Sequence, residues 1–221
     1  MAQLLNLNLT SLVIMFISLM SILYQVEPSS LIPKPADQSS MAYIRASCKT
    51  TLYSNLCIQS LSKFGHYSPL EQNPQQLPQI ALSVSHSRAL QTRAYLLGLS
   101  IQLNNTMKKN DLYLDVQNCL NQINDSVDQL GQSIQELRRM NLPKDIVAVN
   151  IDDNFLWHIS NVETWVSAAL TDASTCVNLF NPDSRMSKVK AGIRVRALNV
   201  AQVTSNALAL FHGYAANDVK V

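Results

Sequence analysis

A chain of 221 residues with 47% hydrophobic content has ample material for one good-sized core or two small ones, so size does not limit folding. Its formal net charge of +2, with no basic cluster interleaved with aromatic residues, argues against a nucleic-acid binder. An aromatic fraction of 6% and only five glycines, beside many Ala, Leu, Ser, Asn and Gln, favour helices with small-residue packing over a sheet-rich fold.

In chain order, residues 1–26 contain no charged side chain, and Leu9 to Leu23 forms an apolar core flanked by Asn6, Asn8 and Gln25. This pattern predicts an export signal, with cleavage between Tyr24 and Ser40. The competing reading is an uncleaved anchor, because Leu4 to Val26 approaches the ~20-residue span of a bilayer. Residues 27–40, EPSSLIPKPADQSS, hold three prolines and several serines and predict a flexible linker. The folded domain is therefore expected from Met41, as a hairpin at 41–68 and a bundle at 75–216.

Tyr43 to Phe64 reads as short helical pieces around Cys48 and Cys57. Gln75 to Leu103 has no strand alternation and no proline after Pro78, so it predicts a long helix, with an apolar face blurred by Ser and Thr. From Val116 the series Val116, Leu120, Ile123, Val127, Leu130, Ile134, Leu137 is a heptad seam on one helix. Phe155, Ile159, Val162, Val166, Ala169, Ala173 and Cys176 repeat it, opening near Asp152 and Asp153, which suit the free amides of a helix start. A further segment runs Val189, Ile193, Ala197, Val200, Val203, Ala207, Leu210, Tyr214, with Ser187 as its N-cap. Breaks at Lys108-Lys109-Asn110, Asn141-Leu142-Pro143 and Asn181-Pro182 make these segments an up-down-up-down four-helix bundle.

The four cysteines, Cys48, Cys57, Cys119 and Cys176, all follow the predicted signal and imply two disulfides, for which three pairings are open. Topology favours one of them: a bridge between Cys48 and Cys57 clamps a small hairpin, and one between Cys119 and Cys176 staples two long helices. Metal binding is disfavoured, since there is no C-x-x-C and His66, His86, His158 and His212 lie at no ligand spacing. Arg138-Arg139 and the stretch Lys188 to Arg196 read as solvated helix faces.

These residues resemble the plant invertase and pectin methylesterase inhibitor family. The carriers are Ile44-x-x-Ser47-Cys48-x-x-Thr51-x-Tyr53-x-x-Leu56-Cys57-x-x-Ser60-Leu61, the Cys119 helix with Asp125, Asp128 and Leu130, the run WVSAALTDASTC from Trp165 to Cys176, and SNALAL from Ser205 to Leu210. The resemblance covers essentially the whole mature chain. It implies a four-helix bundle preceded by an α-hairpin, disulfides Cys48–Cys57 and Cys119–Cys176, and an apoplastic inhibitor that binds its target one to one. In the pectin methylesterase branch, bundle helices lie across the pectin-binding cleft. The contacting positions carry over as Asn121, Asp125, Asp128 and Thr175, with Asn121 departing from the carboxylate expected there. Asn121, Asp125, Asp128, Gln132 and Gln135 share a helix stripe off the apolar seam. The invertase branch is associated with a Pro-Lys-Phe motif that the bundle lacks; Lys34 follows Pro33, but Pro35 comes next. Pectin methylesterase is thus the expected partner and acid invertase the alternative, with a membrane-anchored interaction bundle as a second alternative. Because the chain ends at Val221, a stand-alone inhibitor is expected rather than one fused ahead of a catalytic domain.

An enzyme reading lacks material. There is no G-x-S-x-G, glycine-rich phosphate loop or H-E-x-x-H, and neither Glu136 nor Glu163 has the histidine three residues on that a bundle oxidase needs. No cofactor, metal or nucleic acid is expected. Two N-glycosylation sequons occur, at Asn104 and Asn124, and a glycan on Asn124 would crowd the face carrying Asp125.

Overall fold

The computed structural model describes residues 35–65, 70, 73–105, 111–140, 151–180 and 187–218. The expected signal at 1–26, the linker as far as residue 34 and the three expected breaks lie outside the described residues. Among those described there are six α-helices and a short 3-10 turn, with no strand, as the composition requires.

Helix α1 spans Pro35–Cys48, and so starts six residues before the expected domain boundary at Met41. The stretch 35–40 is therefore helix and not linker. Proline is well placed at the first helical position, where its missing N–H has no intrahelical partner and its φ is already helical. Ser40 is fully buried, and its Oγ accepts a hydrogen bond from the Leu70 amide at 3.3 Å. Composition marked this segment as a linker because that tertiary contact is invisible in sequence.

Helix α2, Ser54–Leu61, runs into the 3-10 turn Ser62–Phe64. Between α1 and α2 the Thr51 hydroxyl donates to the Cys48 carbonyl at 2.9 Å, and the Cys48–Cys57 disulfide closes the hairpin with its Cα atoms 5.6 Å apart. The hairpin is tied to the bundle by Asn206. Its Oδ1 accepts from the Tyr53 amide at 3.1 Å while its Nδ2 donates to the Tyr53 carbonyl at 3.0 Å.

Four long helices follow: α3 Gln76–Asn105, α4 Asp111–Arg139, α5 Ile151–Leu179 and α6 Lys188–Asp218. α3 buries Leu77, Ala81, Leu82, Ala89 and Leu96, but Ser85 and Thr92 occupy the same inward face. Their hydroxyls donate back to the Ala81 carbonyl at 3.0 Å and the Arg88 carbonyl at 2.9 Å, so both are buried without an unmet donor. This explains the blurred apolar pattern of α3. In α4 every residue of the expected seam is buried. In α5 the seam is buried from Ile159 to Cys176, with Phe155 half-buried at its start. α6 begins after Ser187, whose Oγ accepts from the Lys190 amide at 3.3 Å as an N-cap does. Val189, the first residue of the expected α6 seam, is 36% exposed, and burial begins one turn later at Ile193.

Cross-helix pairs give the directions. Cys119 meets Cys176, Ser126 meets Ala169, and Glu136 meets His158 and Asn161, so α4 and α5 are antiparallel. Gln117 bonds to Ser100 and His86 packs over Gly131, so α3 and α4 are antiparallel too. α6 closes the ring on α3, with the Arg196 guanidinium 4.1 Å from the centre of the Tyr95 ring. The core runs the length of this up-down-up-down bundle and includes Phe180, Phe211, Leu82, Ile123, Leu130 and Ile193.

Candidate functional site

The expected contact residues lie on the face made by α4 and α5. On α4 the seam turns Cys119, Ile123 and Leu130 inward, which sends Asn121, Asp125, Asp128, Gln132 and Gln135 outward; all five are exposed. On α5, Thr175 is exposed, with its hydroxyl donating to the Thr171 carbonyl at 2.9 Å. The Cys119–Cys176 bridge brings the two helices to 4.6 Å between Cα atoms. Thr175, one residue before Cys176, is thereby held at the level of Asn121, two residues after Cys119. Farther along, the buried Ser126 hydroxyl lies 3.0 Å from the Ala169 carbonyl, and both residues are small enough to let the backbones approach.

Sequence reasoning did not single out Asp172, although the residue stands in the run WVSAALTDASTC. Its half-buried side chain faces α4 beside Asp125 and Gln129. Burial raises its carboxyl above the usual carboxylate range and the Asp125 charge adds to this, against a hydrogen bond with Gln129. Gln129 keeps a buried Oε1 with no hydrogen-bond partner. The signal in the sequence was the spacing: Asp172 precedes Thr175 by three residues and so shares its side of α5. With Asp172 included, Asn121, Asp125, Asp128 and Thr175 form one polar, mainly acidic surface across two helices.

On the α3 side of this surface, burial and the Arg93 charge lower the His86 pKa, against an opposing pull from Asp128. The two sequons differ. Asn104 is exposed in the last turn of α3. Asn124 is half-buried, and the hydroxyl of its partner Ser126 is engaged within the α4/α5 seam. Any glycan on Asn124 must therefore be added before the bundle closes.

A family model described as plant invertase/pectin methylesterase inhibitor matches residues 42–210, from within α1 to within α6. The chain belongs to that family. Membership places it among inhibitors rather than enzymes. Pectinesterase inhibitor 9 of Arabidopsis thaliana is 39% identical over 82% of this chain and 84% of its own length. The 21 kDa protein of Daucus carota is 37% identical over 82% and 86%, and pectinesterase inhibitor 11 of Arabidopsis thaliana 36% over 85% and 88%. The fold of this inhibitor-family chain is shared with the crystal structure of a mutant form of a pectin methylesterase inhibitor from Arabidopsis. That match has a TM-score of 0.56 at 20% identity, over 79% of this chain and 96% of the other. Among the described residues, no helix is long and apolar enough to cross a membrane. The Leu4 to Val26 stretch behind the anchored alternative lies outside them.

Proposed function

We propose that this family member is exported to the cell wall and inhibits pectin methylesterase there, binding it one to one through the α4/α5 face and covering its pectin-binding cleft. The supporting observation is that Asn121, Asp125, Asp128 and Thr175 share one exposed surface on two helices locked together by Cys119–Cys176. A surface held rigid before docking loses little conformational entropy when it binds, which is what a stoichiometric blocker requires. The relatives named as pectinesterase inhibitors favour the esterase over acid invertase as the target.

The test is a titration of the oxidised protein, secreted from a eukaryotic host, against a plant pectin methylesterase and an acid invertase in parallel. Inhibition of the esterase alone is expected, weakened by about tenfold or more in the Asp125→Ala/Asp128→Ala variant, equivalent to ~1.4 kcal/mol of lost interface. Inhibition of invertase alone would move the target to the other branch. Full inhibition by the double variant would displace the docking face. N-terminal sequencing of the secreted product checks export: a start beyond residue 24 agrees with a cleaved signal, and retention in the membrane fraction with an anchor.

A further inference from the structure

The two halves of the bundle carry opposite charge. α4 and α5 hold Asp115, Asp125, Asp128, Glu163 and Asp172, with Arg138 and Arg139 confined to the last turn of α4, whereas α3 has Arg88 and Arg93 and no Asp or Glu. α6 has Lys188, Lys190, Arg194 and Arg196, and no acidic residue before Asp218. α2 has no acidic residue, and Lys63 follows in the 3-10 turn.

Where α2, α3 and α6 meet they enclose a groove of about 650 Å³, within the size range of pockets that hold small ligands. Its polar lining is Gln59 and Ser60 from α2, Arg88, Gln91 and Thr92 from α3, and Arg196 and Asn199 from α6. No carboxylate lines it. The Arg196 guanidinium is held by stacking on Tyr95 and by Nη1 donating to the Gly192 carbonyl at 3.2 Å. Arg88 donates to Gln91 Oε1 at 3.4 Å. Among the described residues neither arginine has a carboxylate partner, so both retain donors for an anion. Val195, 64% exposed, and Leu56 supply an apolar wall beside these groups.

A guanidinium fork matches a carboxylate with two parallel hydrogen bonds. Side-chain amides and a hydroxyl match sugar hydroxyls, and an apolar wall matches the face of a sugar ring. A bare inorganic anion would use only the arginines. We propose that this groove binds an acidic oligosaccharide with a carboxylate on each sugar, which in the setting of the proposed function is de-esterified pectin. The groove lies on α3 and α6, away from the α4/α5 face, so one molecule can hold the polymer and the esterase together. The inhibitor is thereby retained where ester hydrolysis has already exposed carboxylates. The assignment of pectin as the polymer rests on the proposed function.

Calorimetric titration of the intact oxidised protein, with no enzyme present, tests it. The probes are oligogalacturonate of defined length, the same oligomer fully methyl-esterified, and sulfate. The acidic oligomer is expected to bind with an affinity that falls as salt rises, and the ester and sulfate to bind at least about tenfold more weakly. Arg88→Gln and Arg196→Gln are expected to weaken the acidic oligomer by about tenfold each, with Arg196→Lys between Arg196→Gln and the parent. Esterase inhibition by Arg88→Gln is expected to equal the parent's. Equal binding of the ester, equal displacement by sulfate, no binding of the acidic oligomer, or unchanged binding in both glutamine variants would overturn the proposal. A protein that binds the acidic oligomer and fails to inhibit the esterase would keep the groove and remove the docking function; the reverse result would do the opposite.

Discussion

At the scale of single residues, Glu136 is the most demanding position in the bundle. It is 1% exposed, yet its carboxylate is matched by His158 Nδ1 at 2.7 Å, Arg139 Nη1 at 2.8 Å and Asn161 Nδ2 at 3.0 Å. Burial alone would raise its pKa; the hydrogen bonds from Asn161 and His158, the His158 charge and the Arg139 bond outweigh that, so the net shift is downward. A carboxyl lowered on folding stabilises the protein above its unfolded pKa of about 4.3 and loses that contribution as pH falls through the folded value. Glu136→Gln is therefore expected to cost about 2 kcal/mol at pH 7, the scale of a hydrogen bond to a charged group. The gap to the parent should close as the pH drops below about 4. Thermal unfolding of both proteins across pH 3 to 7 checks this, and a gap constant with pH would mean that the carboxylate charge contributes nothing. The spacing of three between Glu136 and Arg139 stood in the sequence, but the burial and the partners on α5 did not. Arg138-Arg139 read as a solvated face, but Arg139, itself 60% exposed, reaches back to Glu136, whose other partners stand 22 and 25 residues away.

At the scale of elements, the hairpin depends on a side chain that sequence pattern placed only within an ordinary helical run. α2, with 8 residues, is too short to be stable alone and α1, with 14, is at the margin, since isolated helices of fewer than about 12–15 residues are marginal in water. They are held by Cys48–Cys57 and by Asn206, which is 3% exposed and makes both of its hydrogen bonds to Tyr53 backbone. In Asn206→Ala the Tyr53 amide loses its partner while the Tyr53 carbonyl keeps the Cys57 amide at 2.9 Å, at an expected cost of about 1–3 kcal/mol. Hydrogen exchange should speed up across α1 and α2 while α4 and α5 keep their protection. Uniform loss of protection would instead make the hairpin and bundle a single cooperative unit. SNALAL is one of the runs that together carry the resemblance, and the structure gives its asparagine a role: it is the clamp between hairpin and bundle.

At the scale of the whole molecule, the two disulfides constrain loops of different size, with sequence separations of 9 and 57. On the chain-entropy model their removal costs roughly 2.5 and roughly 4 kcal/mol respectively. Denaturant unfolding of Cys48→Ala/Cys57→Ala and Cys119→Ala/Cys176→Ala is expected to rank the second pair as the more destabilised. The second pair also releases the α4/α5 register that holds Thr175 level with Asn121, so its loss of esterase inhibition should exceed that of the hairpin variant. An equal loss from both would count against the α4/α5 face. The formal net charge of +2 conceals a separation of charge between α4/α5 and α3/α6 that appears only when the helices are placed around the bundle.

The heptad seams from Val116 to Leu137 and from Ile159 to Cys176, the Ser187 cap and the cysteine pairing were all set by the sequence, because each depends on spacing along one helix or on which helix a residue occupies. The exposed stripe from Asn121 to Gln135 follows from the same spacing. Only the tertiary structure decided that Pro35 to Ser40 is helix, that Asp172 joins Asp125, that Glu136 is buried with His158, and that Arg88 and Arg196 line one groove. The last three pair residues from different helices and the first goes with the Ser40–Leu70 contact, and helical periodicity fixes which way a side chain points but not what it meets.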